Sequence, residues 1–244
     1  MADQDRKFLF LQGPHGPFFG QVAQRLRATG AGVARVGFNR GDQHFWPRGL
    51  PYTAYGPQMG DFSAFLRGYI ASHETAVSDI VLYGDSRPHH AAARAVANSL
   101  GLTVHCFEEG YLRPYWATYE RGGVNGNSAL MQIGLPEMRA ALRVAGAHAP
   151  AAPSQWGALW HHTWYGFRYH LNFLRQPGAH GARKTHRSHS VLSELRLHIR
   201  RLLWLPLAAL RRRIQTRAVL RSGAPFHLGL LQLGHDASLR AHSD

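Results

Sequence analysis

Four short apolar runs in the first 110 residues each end in a polar loop carrying glycine or proline, with helix-like stretches between them. Lys7-Phe8-Leu9-Phe10-Leu11-Gln12 opens the series and gives way to a Gly/Pro loop over 13–17. A helical stretch from about Phe18 to Ala28 follows, closed by Gly30, and then Val33 to Phe38 reads as a second strand. Asp61 is placed to cap a helix whose apolar residues Phe62, Phe65, Leu66, Tyr69 and Ile70 recur at helical spacing. Asp79 to Tyr83 reads as a third strand, His89 to Leu100 as an alanine-rich helix stopped by Gly101, and Thr103 to Phe107 as a fourth strand. Parallel strands need crossover connections, usually helical, so this alternation predicts an α/β domain with a Rossmann-like parallel sheet.

After Gly110 the alternation stops. Residues 111–134 are rich in turn formers (Gly122-Gly123, Asn125-Gly126-Asn127), and 144–155 read as an Ala/Pro connector. Trp156 to Leu174 is aromatic and helical in pattern, 176–190 is a Gly/His/Arg loop, and Val191 to Leu220 is a basic helical region interrupted at Pro206. Phe226 to Leu233 reads as a new strand without a crossover partner. The expected organisation is a Rossmann-like domain over 1–150, a basic helical connector over 151–225, and the start of an incomplete second domain over 226–244.

Charge is concentrated rather than spread. Of the net +14, residues 151–221 contribute +12, with Glu194 the single acid in that stretch. Such a field favours an anionic partner. Arginine outnumbers lysine 26 to 2, so the basicity reads either as a compositional bias or as a field for such a partner. No nucleic-acid motif accompanies it, so nucleic acid is not an expected partner. Cys106 is the sole cysteine and lies in an apolar run, which excludes a disulfide framework and favours a core role. The start of the chain is polar and acidic, unlike a secretory leader, and the apolar stretch Leu202 to Leu210 is too short to span a bilayer. A cytoplasmic location is expected, peripheral to the inner membrane at most.

In an open parallel sheet, ligands bind beyond the carboxyl ends of the strands. Four loops should meet there: Gln12-Gly13-Pro14-His15-Gly16, Asn39-Arg40-Gly41-Asp42, Gly84-Asp85-Ser86-Arg87 and Glu108-Glu109-Gly110. Gln12, Asp42, Asp85 and Glu108 should therefore lie within roughly 20 Å of one another. The glycine spacing after Gln12 departs from a dinucleotide fingerprint, and suits either a generic anion loop or an ordinary turn. Asp42 reads as a turn cap or a ligand, and Asp85 as a cap for the following helix or a ligand. His89 and His90 point about 100° apart on a helix, so no metal site is expected. Two carboxylates directly after a buried strand are costly unless solvated, paired or functional. There a carboxylate can serve as general acid or base.

These loops resemble the bacterial capsular polysaccharide biosynthesis/export family, KpsS/LipB branch. The match runs through Leu11-Gln12-Gly13-Pro14, Phe38-Asn39-Arg40-Gly41-Asp42 and Gly84-Asp85-Ser86-Arg87. It continues through Phe107-Glu108-Glu109-Gly110-Tyr111-Leu112-Arg113-Pro114, Glu120 with Gly123 to Ser128, and Leu231-Gln232-Leu233 with Asp236. The resemblance implies a GT-B-like fold and a retaining β-Kdo glycosyltransferase. Such an enzyme moves Kdo from CMP-Kdo to a phosphatidylglycerol-linked acceptor to build the capsule linker. It implies Glu108 or Glu109 as acid/base and Asp236 as nucleophile. Arg87, Arg113 and His15 would hold carboxylate or phosphate groups, with Gln12, Asp42, Asp85 and Asn125 as further substrate contacts. Expected partners are the nucleotide-sugar donor, a lipid-linked saccharide acceptor, the inner-membrane surface and other capsule-assembly proteins; no cofactor is implied. Family members run well beyond this length and carry a His-Pro pair that is absent here, so the chain reads as truncated, with little transfer activity of its own. The alternative is a non-catalytic accessory that binds glycan or anionic membrane.

Overall fold

The computed structural model describes residues 6–72, 77–110, 116–144, 159–175 and 191–223. The chain divides into two compact units, Met1–Ser188 and His189–Asp244.

In the first unit, β1 (Lys7–Phe10), β2 (Gly32–Gly37), β3 (Tyr52–Ala54), β4 (Asp79–Tyr83), β5 (Thr103–Glu109) and β6 (Ala117–Arg121) form a six-stranded sheet. Their order is β3-β2-β1-β4-β5-β6. The first five run parallel, and β6 returns antiparallel beside β5. The order reverses between β1 and β4, which is the topological switch point of a doubly wound sheet. The α/β Rossmann-like class expected from the alternation is what the chain adopts. Two strands escaped the sequence pattern. β3 is three residues long, and β6 alternates half-buried and exposed positions within a turn-rich stretch.

Alternation along each strand sorts the core into two layers. Leu9, Leu11, Val36, Ile80, Leu82, Val104 and Cys106 face one side, where α3 (Phe62–Ala71) and α4 (Pro88–Leu100) supply Phe62, Leu66, Ala93 and Val96. Phe8, Phe10, Val33 and Val81 face the other, against Phe19 and Ala23 of α1 (Phe18–Ala28) and Trp46. Phe10 and Phe19 meet edge to face at 5.2 Å between centroids, worth ~0.5–1.5 kcal/mol beyond area burial. Asp61 caps α3 as expected, accepting the Ala64 amide at 2.9 Å, and Gly101 ends α4 in the left-handed region.

The polar loop expected after β2 folds into a short helix, α2 (Arg40–His44), because Asn39 caps it through Oδ1 to the Asp42 amide at 2.9 Å. α5 (Leu135–Val144) lies in a stretch where no helix was expected. The aromatic stretch forms α6 (Leu159–Leu174), whose Tyr169 and Phe173 are buried. α6 lies within the first compact unit, although the sequence pattern placed it in a connector separate from residues 1–150.

The described part of the second unit is α7 (Val191–Arg221), one helix with Pro206 inside it. The strand expected at Phe226–Leu233 lies outside the described residues.

Candidate functional site

The four loops do leave the sheet at its carboxyl edge, because β1, β2, β4 and β5 run parallel. They split into two unlike halves.

At the β1–β2 half, the phenol of Tyr169 occupies the crevice. Its oxygen accepts from Asn39 Nδ2 at 2.7 Å and Gln12 Nε2 at 3.2 Å, and lies 3.4 Å from Asp42 Oδ1. Burial, with the Asp42 carboxylate beside it, pushes the phenol pKa far above its ordinary value, so it stays a neutral donor. Asp42 is 1% exposed. Its Oδ1 pairs with Arg35 Nη2 at 3.0 Å, and its Oδ2 accepts the Phe38 amide at 3.0 Å. Asp42 read as a turn cap or a ligand; the structure turns it inward, where it neutralises the buried guanidinium of Arg35 and fixes the end of β2.

The ring of Tyr169 also explains a glycine. A Cβ on Gly41 would lie 2.7 Å from two Tyr169 ring carbons. At Gly16 a Cβ would meet the ring of Tyr165 at 3.2 Å, and φ there is +132°. These glycines let α6 lie close to the loops rather than cradling a dinucleotide. His15 stacks on Tyr169 at 4.0 Å between centroids and sits 5.0 Å from the His170 ring. Gln12 and His15, two expected ligand contacts, are thus joined to α6.

At the β4–β5 half, the surroundings are carboxylates. Glu108 is half-buried at the end of β5 and opposes Thr118 on β6. Its Oε1 accepts the Glu109 amide at 3.1 Å. Its Oε2 lies 3.1 Å from where a Cβ on Gly84 would stand, and Gly84 has φ +68°. Gly84 therefore meets both demands of this turn, backbone conformation and room for the Glu108 carboxylate. Strand alternation puts Glu109 on the opposite face, and it is exposed. Gly110 completes the Glu-Glu-Gly triplet for a steric reason: a Cβ there would collide with the Trp116 carbonyl oxygen.

Asp85 does not cap α4, whose cap position is Arg87 with no side-chain cap bond. Instead Asp85 is 3% exposed, accepts the Val124 amide on Oδ2 at 2.8 Å, and lies 3.8 Å from Arg94 Nη1. Arg94 also donates from Nε to the Gly122 carbonyl at 2.9 Å. Asp85 and Arg94 together hold the turn after β6. In that turn Asn125 is exposed and has φ +53°, a left-handed conformation that asparagine tolerates. Ser128 hydrogen-bonds the Glu120 carboxylate. The buried Cys106 registers this setting. Its thiol is pushed up to about 12, first by burial and then by Asp85, with Arg94 opposing and Glu120 and Glu108 adding. It is not a nucleophile at neutral pH.

Arg87 is half-buried at the start of α4. Arg113 and Asp236 lie outside the described residues. Arg35, Arg94 and Tyr169 were missed by sequence reasoning. An arginine inside an apolar strand was the available clue to a buried acid nearby; nothing local pointed from α6 to the β1–β2 loops.

The mostly parallel six-stranded sheet, with helices packed on it, makes this an α/β protein of the Rossmann-like class. The profile of the capsule polysaccharide biosynthesis protein family matches residues 78–244. The capsule polysaccharide export protein KpsS of Escherichia coli is 33% identical over 98% of this chain and 60% of its own length. The capsule polysaccharide modification protein LipB of Neisseria meningitidis serogroup B is 28% identical over 100% of this chain and 58% of its own. LipB of serogroup A is 38% identical over 53% of this chain and 31% of its own. The chain belongs to the capsule polysaccharide biosynthesis protein family. It spans about 60% of the length of the first two of these relatives.

Proposed function

We propose that the chain acts in capsule polysaccharide biosynthesis as the acceptor side of a retaining Kdo transferase that uses CMP-Kdo and a lipid-linked saccharide acceptor. Family membership supports the capsule role. The observation that carries the finer reading is Glu108, a half-buried carboxylate aimed at Gly84 beside the switch point. Retention by double displacement needs a nucleophilic carboxylate and an acid/base. In the first step the nucleophile bonds the anomeric carbon and CMP leaves. In the second, Glu108 takes the proton of an acceptor hydroxyl as that oxygen bonds the same carbon and the nucleophile departs. Asp236 is the nucleophile by resemblance. Between the two glutamates, the reading favours Glu108, since Glu109 is exposed on the other face. Asp85 and Arg94 act as positioning residues, holding the turn after β6 through the Val124 amide and the Gly122 carbonyl.

The test is release of CMP from CMP-Kdo with a phosphatidylglycerol-linked Kdo acceptor. It is run on this chain and on a form extended to the length of its relatives. Release lost in Glu108→Gln and kept in Glu109→Gln supports the assignment. No release from either form counts against Kdo transfer, and loss only in Glu109→Gln reverses the roles of the two glutamates.

A further inference from the structure

α7 carries eight arginines in 31 residues, with Glu194 its one acid. Among its described side chains, large apolar groups are exposed along much of its length. Leu203 is 74% exposed, Leu207 59%, Leu210 57% and Ile214 61%. At 3.6 residues per turn, Leu203, Leu207, Leu210, Ile214 and Ala218 fall within an arc of about 80°. Arg211 flanks that arc on one side and Arg213 and Arg217 on the other, while Arg212, Gln215 and Thr216 lie opposite. The stripe runs from Leu203 to Ala218. Leu202, Trp204 and Leu205 near Pro206, and Val219 and Leu220 towards the end of the helix, are also exposed and point elsewhere around the axis.

A stripe of this kind needs a cover. A second copy of the helix would bring together two strongly cationic surfaces with little acid to offset them, and like charges repel. Spanning a bilayer is excluded for α7, since no helix among the described residues is long and apolar enough to cross one. An anionic lipid surface satisfies both properties at once. Leucines enter the boundary between headgroups and acyl chains, and arginines at the edges of the stripe extend to the phosphates. The geometry points to α7 as an in-plane membrane-docking helix, with Leu203, Leu207, Leu210 and Ile214 as its buried stripe and Arg211, Arg213 and Arg217 as its phosphate contacts. The inference stands on α7 alone and does not depend on Kdo transfer.

Flotation of the full 244-residue chain with vesicles decides it, using neutral phosphatidylcholine vesicles against vesicles containing phosphatidylglycerol. Binding should appear on the anionic vesicles and fall steeply when salt is raised, since surface attraction is screened. Replacing Arg211, Arg213 and Arg217 together by Gln should weaken binding at least tenfold, since each cation near the surface adds to the attraction. Leu207→Ser with Leu210→Ser should remove binding while the circular dichroism of the chain keeps its wild-type shape. Equal binding to neutral vesicles, no binding to anionic ones, or full binding by the leucine variant overturns the proposal. So does light scattering that shows a dimer abolished by the leucine variant, which would assign the stripe to a second copy of the chain.

Discussion

The two halves of the carboxyl edge are built from the same kind of βα loop, yet among the described residues they are completed differently, one by the Tyr169 ring of α6 and the other by the turn after β6. Over β1 and β2, Tyr169 fills the crevice and binds Gln12, Asn39 and Asp42. Over β4 and β5, Glu108 is half-buried, and the turn after β6 is anchored by Asp85 and Arg94. Similar loop chemistry thus has two fates. Where a neighbouring helix supplies a hydroxyl, polar residues become structure. Over β4 and β5, Asp85 becomes structure too, through the Val124 amide, while Glu108 at the end of β5 is half-buried.

The largest test of this contrast is catalytic. Glu108→Gln should lower the rate of CMP release by roughly 10²–10⁴-fold, the usual span for removing a general acid or base. Glu109→Gln should change it less than tenfold. Next comes the half completed by Tyr169. Tyr169→Ala should destabilise the fold by about 3–5 kcal/mol in urea unfolding, through lost packing and stranded polar partners. Tyr169→Phe, which removes the hydroxyl alone, should destabilise by about 1–3 kcal/mol while release stays within threefold of wild type. A rate loss in Tyr169→Phe as deep as that of Glu108→Gln, measured where the variant is folded, would erase the distinction between the halves. A smaller effect is steric. Gly41→Ala should cost about 1–3 kcal/mol, since the Tyr169 ring must shift to admit the methyl group.

Much of this was readable in the residues. The strand–loop–helix alternation specified the parallel strands β1, β2, β4 and β5, because apolar runs of strand length bounded by glycine leave few alternatives. It also placed the carboxyl-edge loops together. The signal failed at β3 and β6, which are short or half-exposed and lack a continuous apolar run. It failed differently at Asp42 and Asp85. A carboxylate in a loop is the same letter whether it meets ligand, caps a helix or neutralises a buried arginine. The choice depends on Arg35 and on the Val124 amide, the latter 39 residues from Asp85. Tyr169 is the extreme case, reaching Gln12 from 157 residues away.

The opposite edge of the sheet offers a control that owes nothing to the site. At the amino end of β4, Asp79 accepts Arg6 Nη2 at 2.6 Å, Ser78 Oγ at 2.6 Å and His105 Nε2 at 2.8 Å, while His105 Nδ1 faces the Tyr119 hydroxyl at 2.7 Å. Burial alone would raise this carboxyl, but the hydrogen bonds from Arg6, Ser78 and His105 outweigh it and hold the pKa below the ordinary 3.8. A depressed carboxyl contributes stability above its unfolded pKa and loses it as pH falls through the folded one. The unfolding midpoint should therefore drop on acidification below about pH 4, and Asp79→Asn should flatten that slope. An unchanged acid limb in the variant would show that other carboxylates govern it.

The antiparallel β6 has a bearing on how the chain behaves in a crowded solution. An open sheet presents unpaired amides and carbonyls at both margins, and these invite pairing with another chain. Here one margin is β3, too short at three residues to template much. The other is β6, which sets the charged Glu120 and Arg121 along its length and runs against the direction of its neighbours. An incoming strand would have to accommodate those charges. The strand that completes the sheet beside β5 thus also sets charge on the margin where strand addition would begin.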